Sequence, residues 1–215
     1  MTEWIDIYNE DFQHIGAATR EEVHAKGYWH KTFHCWVVMQ QAGVPYIIFQ
    51  KRHPNKDTNP NKLDVSCAGH LSAGENVSDG VRELREELGI DVPITELSPL
   101  GIVHVAAQTE NIRDFEACHI FMHVTPYALS DLHPQTDEIS ALYLAQLTDA
   151  IQLFRGEKQS IRLHGYTVND SANRLPSEIE ARLEDFVAHT TAYYTDTFEA
   201  IQAQWSHNTG LPYQK

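Results

Sequence analysis

The sequence predicts a compact α/β or α+β core with helical additions at its C-terminus. Three observations carry that expectation. Segments that alternate, or that are rich in β-branched and aromatic residues, recur from Trp4 to about residue 150 with short helical patterns between them. A dense run of turn formers, HPNKDTNPNK at residues 53–62, must be a loop. From Ser177 onward apolar residues recur at helical spacing. The chain has 215 residues, 42% of them hydrophobic, which is enough for one sizeable core with length left for an appendage.

Taken in order, Trp4 to Tyr8 alternates as a strand, Asn9 to Asp11 signals a turn, and Phe12 to Ile15 is the return strand. Thr19 to Lys26 reads as a short helix, with Thr19 as N-cap, Glu22 three residues on and Gly27 as the stop. Phe33 to Gln40 and Pro45 to Lys51 are strands joined by a turn at Gln41-Ala42-Gly43. Leu63 to Ala68 is a short strand, and Asn76 to Leu88 a helix closed by Gly89. Gly101 to Gln108 and Phe115 to Val124 are further strands, and Thr136 to Leu147 a strand running into a helix. In the tail, Ser177-Glu178-Ile179-Glu180 has the form of a capping box. It predicts helix over residues 177–206, as one element or as two separated near Thr190 to Thr195. The stripe of Ile179, Leu183, Phe186, Val187, Tyr194, Phe198, Ile201 and Trp205 has to pack on the core or on a second copy of the chain, so a homodimer is one of two expectations.

The formal net charge of −14 excludes a general attraction for nucleic acid or anionic membrane. No apolar run reaches the length of a membrane span, and the first residues lack the layout of a signal peptide. Cys35, Cys67 and Cys118 form an odd, widely spaced set with no disulfide or paired-metal pattern, so a reducing cytoplasm is the expected compartment.

The chemistry lies in residues 69–90, GHLSAGENVSDGVRELREELGI. On a helix turning about 100° per residue, Glu83, Glu86 and Glu87 share one face, while Val81, Leu84 and Leu88 lie roughly opposite and anchor it. Three carboxylates held together repel unless a cation joins them. All-oxygen ligation suits Mg²⁺, which takes a few carboxylates, waters and phosphate oxygens. Gly69 and Gly74 let the preceding backbone approach a ligand closely.

This segment resembles the Nudix box, G-x5-E-x7-R-E-U-x-E-E-x-G-U with U a bulky apolar residue. Gly69, Glu75, Arg82, Glu83, Leu84, Glu86, Glu87, Gly89 and Ile90 supply its fixed positions, with six residues rather than seven between Glu75 and Arg82. Residues 4 to about 150 further resemble the branch of Nudix proteins similar to type 1 isopentenyl-diphosphate isomerase, through I-D-I-Y, E-V-H-A-K-G-Y-W-H-K-T-F-H, F-Q-K-R-H-P-N-K-D and D-V-S-C-A-G-H-L-S-A-G-E. The resemblance implies a Nudix fold, a mixed β-sheet sandwiched between helices, over residues 1–155, followed by a helical extension over 156–215. It implies Mg²⁺- or Mn²⁺-dependent hydrolysis of a diphosphate linkage in a nucleoside diphosphate-X or similar small diphosphate.

By the same resemblance the metal ligands are Glu83, Glu86, Glu87 and the Gly69 carbonyl. Glu83, Glu86 or Glu116 accepts the proton of the attacking water, and Arg52, Lys56 and Arg82 are the expected substrate contacts. His24, His30, His70, Asp114 and Glu116 match in order the three histidines and two acids that bind a metal in the isomerases, and are a second candidate metal site. Two other readings stand beside hydrolysis. One is a catalytically idle Nudix domain that senses a ligand. The other is the isomerase itself, against which count Ala68 at the place of the catalytic cysteine and Leu144 at that of a tryptophan.

Overall fold

The computed structural model describes residues 2–108 and 112–209. Its sheet is organised by β3 (Trp29–Gln41) and β8 (Arg113–Val124), which run parallel from Trp29 opposite Phe115 to Val38 opposite Val124. The other strand pairs of the described residues are antiparallel, so the sheet is mixed. From one edge it runs β11 (Arg174–Ala181), β10 (Ile161–Val168), β9 (Ile139–Gln146), β4 (Val44–Arg52), β3, β1 (Trp4–Tyr8) and β2 (His14–Thr19). β7 (Ser98–Gln108) pairs with β8, while the short β5 (Leu63–Asp64) and β6 (Cys67–His70) pair with β4 and β3.

The period of two sorts β3 onto two cores. Phe33, Cys35, Val37 and Met39 face one cluster, which α2 (Arg82–Leu88) closes with Leu84 and Leu88. Trp36 and Val38 face the other, which α3 (Leu147–Phe154) and α4 (Thr191–Thr209) cover with Leu147, Phe154, Tyr194, Phe198 and Ile201. Helices thus lie against both faces of the sheet. α1 (Arg20–Lys26) follows β2 directly, with Thr19 Oγ1 accepting from the Glu22 amide at 3.3 Å.

Most expected elements form where the sequence places them, but the tail differs. Residues 174–181 are not helical: they form β11, paired antiparallel to β10 with Ser177 opposite Gly165 and Ile179 opposite Leu163. SEIEA satisfies a capping-box pattern and a strand alternation equally, and the β10 partner decides, because it supplies a full ladder of hydrogen bonds. Helix begins only at Thr191. Before it, Phe186 bridges Leu63, and the Val187 amide donates to the Leu63 carbonyl at 2.8 Å. α4 packs on its own chain: Phe198 lies edge-on to Trp36 at 4.9 Å, and Tyr194 stacks on Phe154 at 4.0 Å. The helix expected from Asn76 is also shorter, a 3-10 turn at Asp79–Val81 leading into α2.

Candidate active site

Leu84 and Leu88, both fully buried, fix the rotation of α2, so the opposite face is presented to a cavity of about 520 Å³. Glu83 and Glu87 are 9% and 8% exposed, whereas the Glu86 side chain is 45% exposed at the rim. β6 passes directly beneath. The Glu83 carboxylate lies so close to Gly69 that a Cβ at that position would push it aside, so glycine keeps the carboxylate against this backbone. Glu87 Oε2 accepts from the Ala68 amide at 3.2 Å and from Gln50 Nε2 at 3.4 Å.

Arg82 ties the box together. Its Nε and Nη2 donate to the two oxygens of Glu75 at 2.9 and 3.1 Å, a two-pronged pair, while Glu75 also accepts from the Ser72 amide at 2.7 Å. The pairing therefore survives the missing residue. The shorter loop is taken up by tight turns, with Asn76 N donating to Asp79 Oδ2 and Ser78 N to Asn76 Oδ1, and by Gly80, where a Cβ would come within 2.6 Å of Phe33. Arg82 Nη1 donates to Glu83 and Glu86, and Nη2 also to the His70 carbonyl. Those bonds take all five N–H groups of the guanidinium. Arg82, expected as a substrate contact, thus has every N–H group engaged in positioning two glutamates and a loop.

The other expected cations differ in how far they are committed. Lys56 pairs with Glu138. Arg52 donates to Asp64 at 2.9 Å and to the carbonyl and hydroxyl of Thr58, each at 3.1 Å, and keeps two N–H groups beside the cavity. Sequence reasoning missed Arg20. It opens α1 one turn before His24 and lines the same cavity, with its Nε buried and without a hydrogen-bond partner and its nearest carboxylates 3.7 and 3.9 Å away. The four-residue spacing from Arg20 to His24 was the available signal.

The second set of expected ligands also converges. His24, His30 and His70 each place a ring nitrogen within 4.8 Å of the others, and a ring nitrogen of His30 and carboxylate oxygens of Asp114 and Glu116 meet within the same distance. His30 Nδ1 lies 3.1 Å from the Tyr28 carbonyl and His70 Nδ1 3.2 Å from Glu3 Oε1. The Tyr28 carbonyl only accepts, so His30 Nδ1 carries the proton and its Nε2 lone pair turns inward, while the Glu3 carboxylate holds the His70 ring from behind. His24 Nε2, His30 Nε2 and Asp114 Oδ1 are buried without hydrogen-bond partners. These atoms face one another, with His24 Nε2 and His30 Nε2 3.4 and 3.6 Å from Asp114 Oδ1, and such a buried group fits a metal ion held by imidazole and carboxylate.

The electrostatics agree. Burial, with the neighbouring Glu83 charge, pushes Glu87 up to about 8. Burial pushes Glu83 to about 7, even though Arg82 opposes it. Burial and Asp114 push Glu116 up to about 8, while burial and His70 take His30 down to about 4. For Asp114 burial is outweighed by His24, His30 and His70, and its carboxyl is held below the usual range. The site is short of positive charge, and a cation would lower the cost of keeping its carboxylates ionised.

A mixed sheet between helices, with a glutamate-bearing loop and helix beside a polar cavity, defines the Nudix class of fold. The sequence pattern of the NUDIX domain matches residues 29–164, and the chain belongs to the Nudix family. It is similar to an uncharacterised Nudix hydrolase of Clostridium acetobutylicum, 39% identical over 199 residues covering 93% of this chain and 97% of the relative. The uncharacterised Nudix hydrolase YfcD of Escherichia coli is 32% identical over 65% of this chain and 71% of its own. Among solved structures, DR0079 of Deinococcus radiodurans shares the fold with a TM-score of 0.54 at 21% identity, over 73% of this chain and 91% of that one. The family's reaction is hydrolysis of a pyrophosphate linkage, generally with divalent metal ions.

Proposed function

We propose that this chain hydrolyses a diphosphate linkage in a nucleoside diphosphate-X or a similar small diphosphate, with Mg²⁺ or Mn²⁺. The observation that carries the reading is the convergence of Glu83, Glu87 and the Gly69 backbone at one cavity, braced by the Glu75–Arg82 pair although the box is one residue short. Glu83, Glu86, Glu87 and the Gly69 carbonyl are the residues to hold divalent ions, and His24, His30, His70, Asp114 and Glu116 offer a second place for one. Bound ions supply charge neutralisation and a lowered pKa for water.

The chain does the rest. Arg52, with its two remaining N–H groups, and Arg20 orient the diphosphate, and Lys56 adds charge at the mouth. A carboxylate accepts the proton of the attacking water. Glu83, Glu86 and Glu116 face the cavity for that purpose, and Glu83 combines its place against Gly69 with a proton affinity near neutral pH. The isomerase reading loses ground: Ala68 lines the cavity where a thiol is needed, Cys67 points into the core fully buried, and Leu144 is 2% exposed. The deciding experiment is a screen for release of phosphate or of a monophosphate from nucleoside diphosphates, nucleotide sugars, dinucleotides and thiamine diphosphate, with and without Mg²⁺. Ligand binding without turnover on any substrate would favour a sensor and overturn the assignment.

A further inference from the structure

On one face of the parallel pair of β3 and β8, polar residues precede apolar ones. His30, Thr32 and His34 lead into Trp36 and Val38, and Asp114, Glu116 and Cys118 lead into Ile120 and Met122. The beginning of this polar row belongs to the His-acid cluster described above. Its inner end does not. His34, Glu116 and Cys118 bring an imidazole nitrogen, a carboxylate oxygen and a sulfur within 4.8 Å of one another. Cys118 Sγ lies 3.6 Å from Glu116 Oε2. Donors around a filled tetrahedral site, with bonds of about 2.0–2.3 Å, stand roughly 3.5 Å apart, so small side-chain motions would close this group on an ion. His34 is 3% exposed and Cys118 fully buried, so neither is a solvated surface residue.

The group also has an outer support. Tyr193, on α4 and itself fully buried, places its hydroxyl 2.8 Å from His34 Nδ1. With Nδ1–H donating to that oxygen, Nε2 keeps its lone pair for an ion, as in ligating histidines held from behind. Glu116 Oε1 lies 4.0 Å from His30 Nε2, so this carboxylate is common to both clusters. α4 lies outside the segment matched by the NUDIX pattern, and this contact gives it a role beyond covering the core.

We propose that His34, Glu116 and Cys118 form a second metal station beside the one at His24, His30, His70 and Asp114, with the Glu116 carboxylate shared between them. The mixture of imidazole, thiolate and carboxylate selects a Zn²⁺-, Fe²⁺- or Co²⁺-like ion over Mg²⁺. On binding, the Cys118 thiol releases its proton to solvent and the sulfur bonds the ion. This station has two donors of its own beside the shared carboxylate, and its occupancy depends neither on which diphosphate is hydrolysed nor on whether one is.

Co²⁺ titration of the chelator-treated full chain tests it. The expected result is an intense near-ultraviolet thiolate-to-cobalt band that rises to saturation, disappears in Cys118→Ser, and persists in Cys67→Ala and in His70→Ala. Tyr193→Phe, which keeps the ring in the core, should weaken the Co²⁺ dissociation constant read on that band about 10- to 100-fold. Should Cys118→Ser not fold, loss of the band in His34→Ala carries the same weight. Visible cobalt bands without the thiolate band would leave the His24–His30–His70 cluster standing and overturn the second station. A thiolate band that survives Cys118→Ser would overturn it as well, and an absence of any cobalt spectrum would overturn both stations. Phosphate release, assayed separately, reports on the hydrolase reading alone.

Discussion

Replacing Arg82 with lysine separates the two roles assigned to this residue, substrate contact from the sequence and bracing from the structure. Lysine keeps the charge but offers three donors from one point, and it cannot reproduce a fork that reaches Glu75 with two nitrogens while also meeting Glu83, Glu86 and the His70 carbonyl. At least two charge-assisted hydrogen bonds are lost, each worth about 1.5–3 kcal/mol when well shielded. The Arg82 side chain is 26% exposed, which calls for a discount toward the smaller value of surface pairs, leaving a cost of about 2 kcal/mol. At about 2–4 °C per kcal/mol for a chain of this size, Tm should fall by about 4–8 °C. Glu83 also loses its fixed position, so the Mg²⁺ concentration for half-maximal turnover should rise several-fold. Differential scanning fluorimetry and a Mg²⁺ titration of phosphate release measure the two effects. An unchanged Tm and Mg²⁺ requirement with a tenfold higher KM would show that Arg82 holds substrate rather than the box.

The other predictions concern the ions, the pH and the tail. Glu83→Gln and Glu87→Gln should each lower turnover by two or more orders of magnitude, an estimate from the transition-state charge that ligated ions offset, with Tm of the metal-free protein unchanged or higher at about pH 8.5, where the buried carboxylates are ionised. Wild-type turnover in either variant would remove it from the metal site. Chelation should abolish hydrolysis, with Mg²⁺ or Mn²⁺ restoring it; activity that resists chelation, with a bound ion found by elemental analysis, would move the essential metal to the histidine cluster. In the metal-free fold burial raises Glu83 to about 7 and Glu87 to about 8, above their unfolded values, so the folded chain binds extra protons and loses stability as pH rises through that window. Because Mg²⁺ competes with those protons, its stabilising shift in Tm should be larger at about pH 8.5 than at about pH 6, and equal shifts would contradict the assignment. Phe198→Ala, in the aromatic cluster of Trp36, Phe49 and Phe154, should cost about 3–5 kcal/mol; a loss below about 1 kcal/mol would mean that α4 does not complete the core.

The sequence by itself determined the box and its neighbours. The positions of Glu83, Glu86 and Glu87 follow from local helical geometry, and Leu84 and Leu88 fix which way they face, so three carboxylates on one side of α2 needed no tertiary information. The helix start at Thr19 and the loop at 53–62 were legible for the same reason: caps and turn formers act over a few residues. What only the tertiary structure decided depended on partners distant in the chain. The hairpin of β10 and β11 was missed although Ile161, Leu163, Tyr166 and Val168 face inward, because a short alternating run does not announce its partner. The same hairpin turned Ser177–Ala181 from expected helix into strand. The engagement of all five Arg82 donors within the box, and the presence of Arg20 at the cavity, depend on how the loop, β6 and α1 pack. The convergence of His24, His30, His70, Asp114 and Glu116 required β3 and β8 to lie parallel in one register, and the fate of the tail's apolar stripe required α4 to find Trp36 and Phe154. Spacing along a chain sets which side chains share a face, but only packing sets what that face meets.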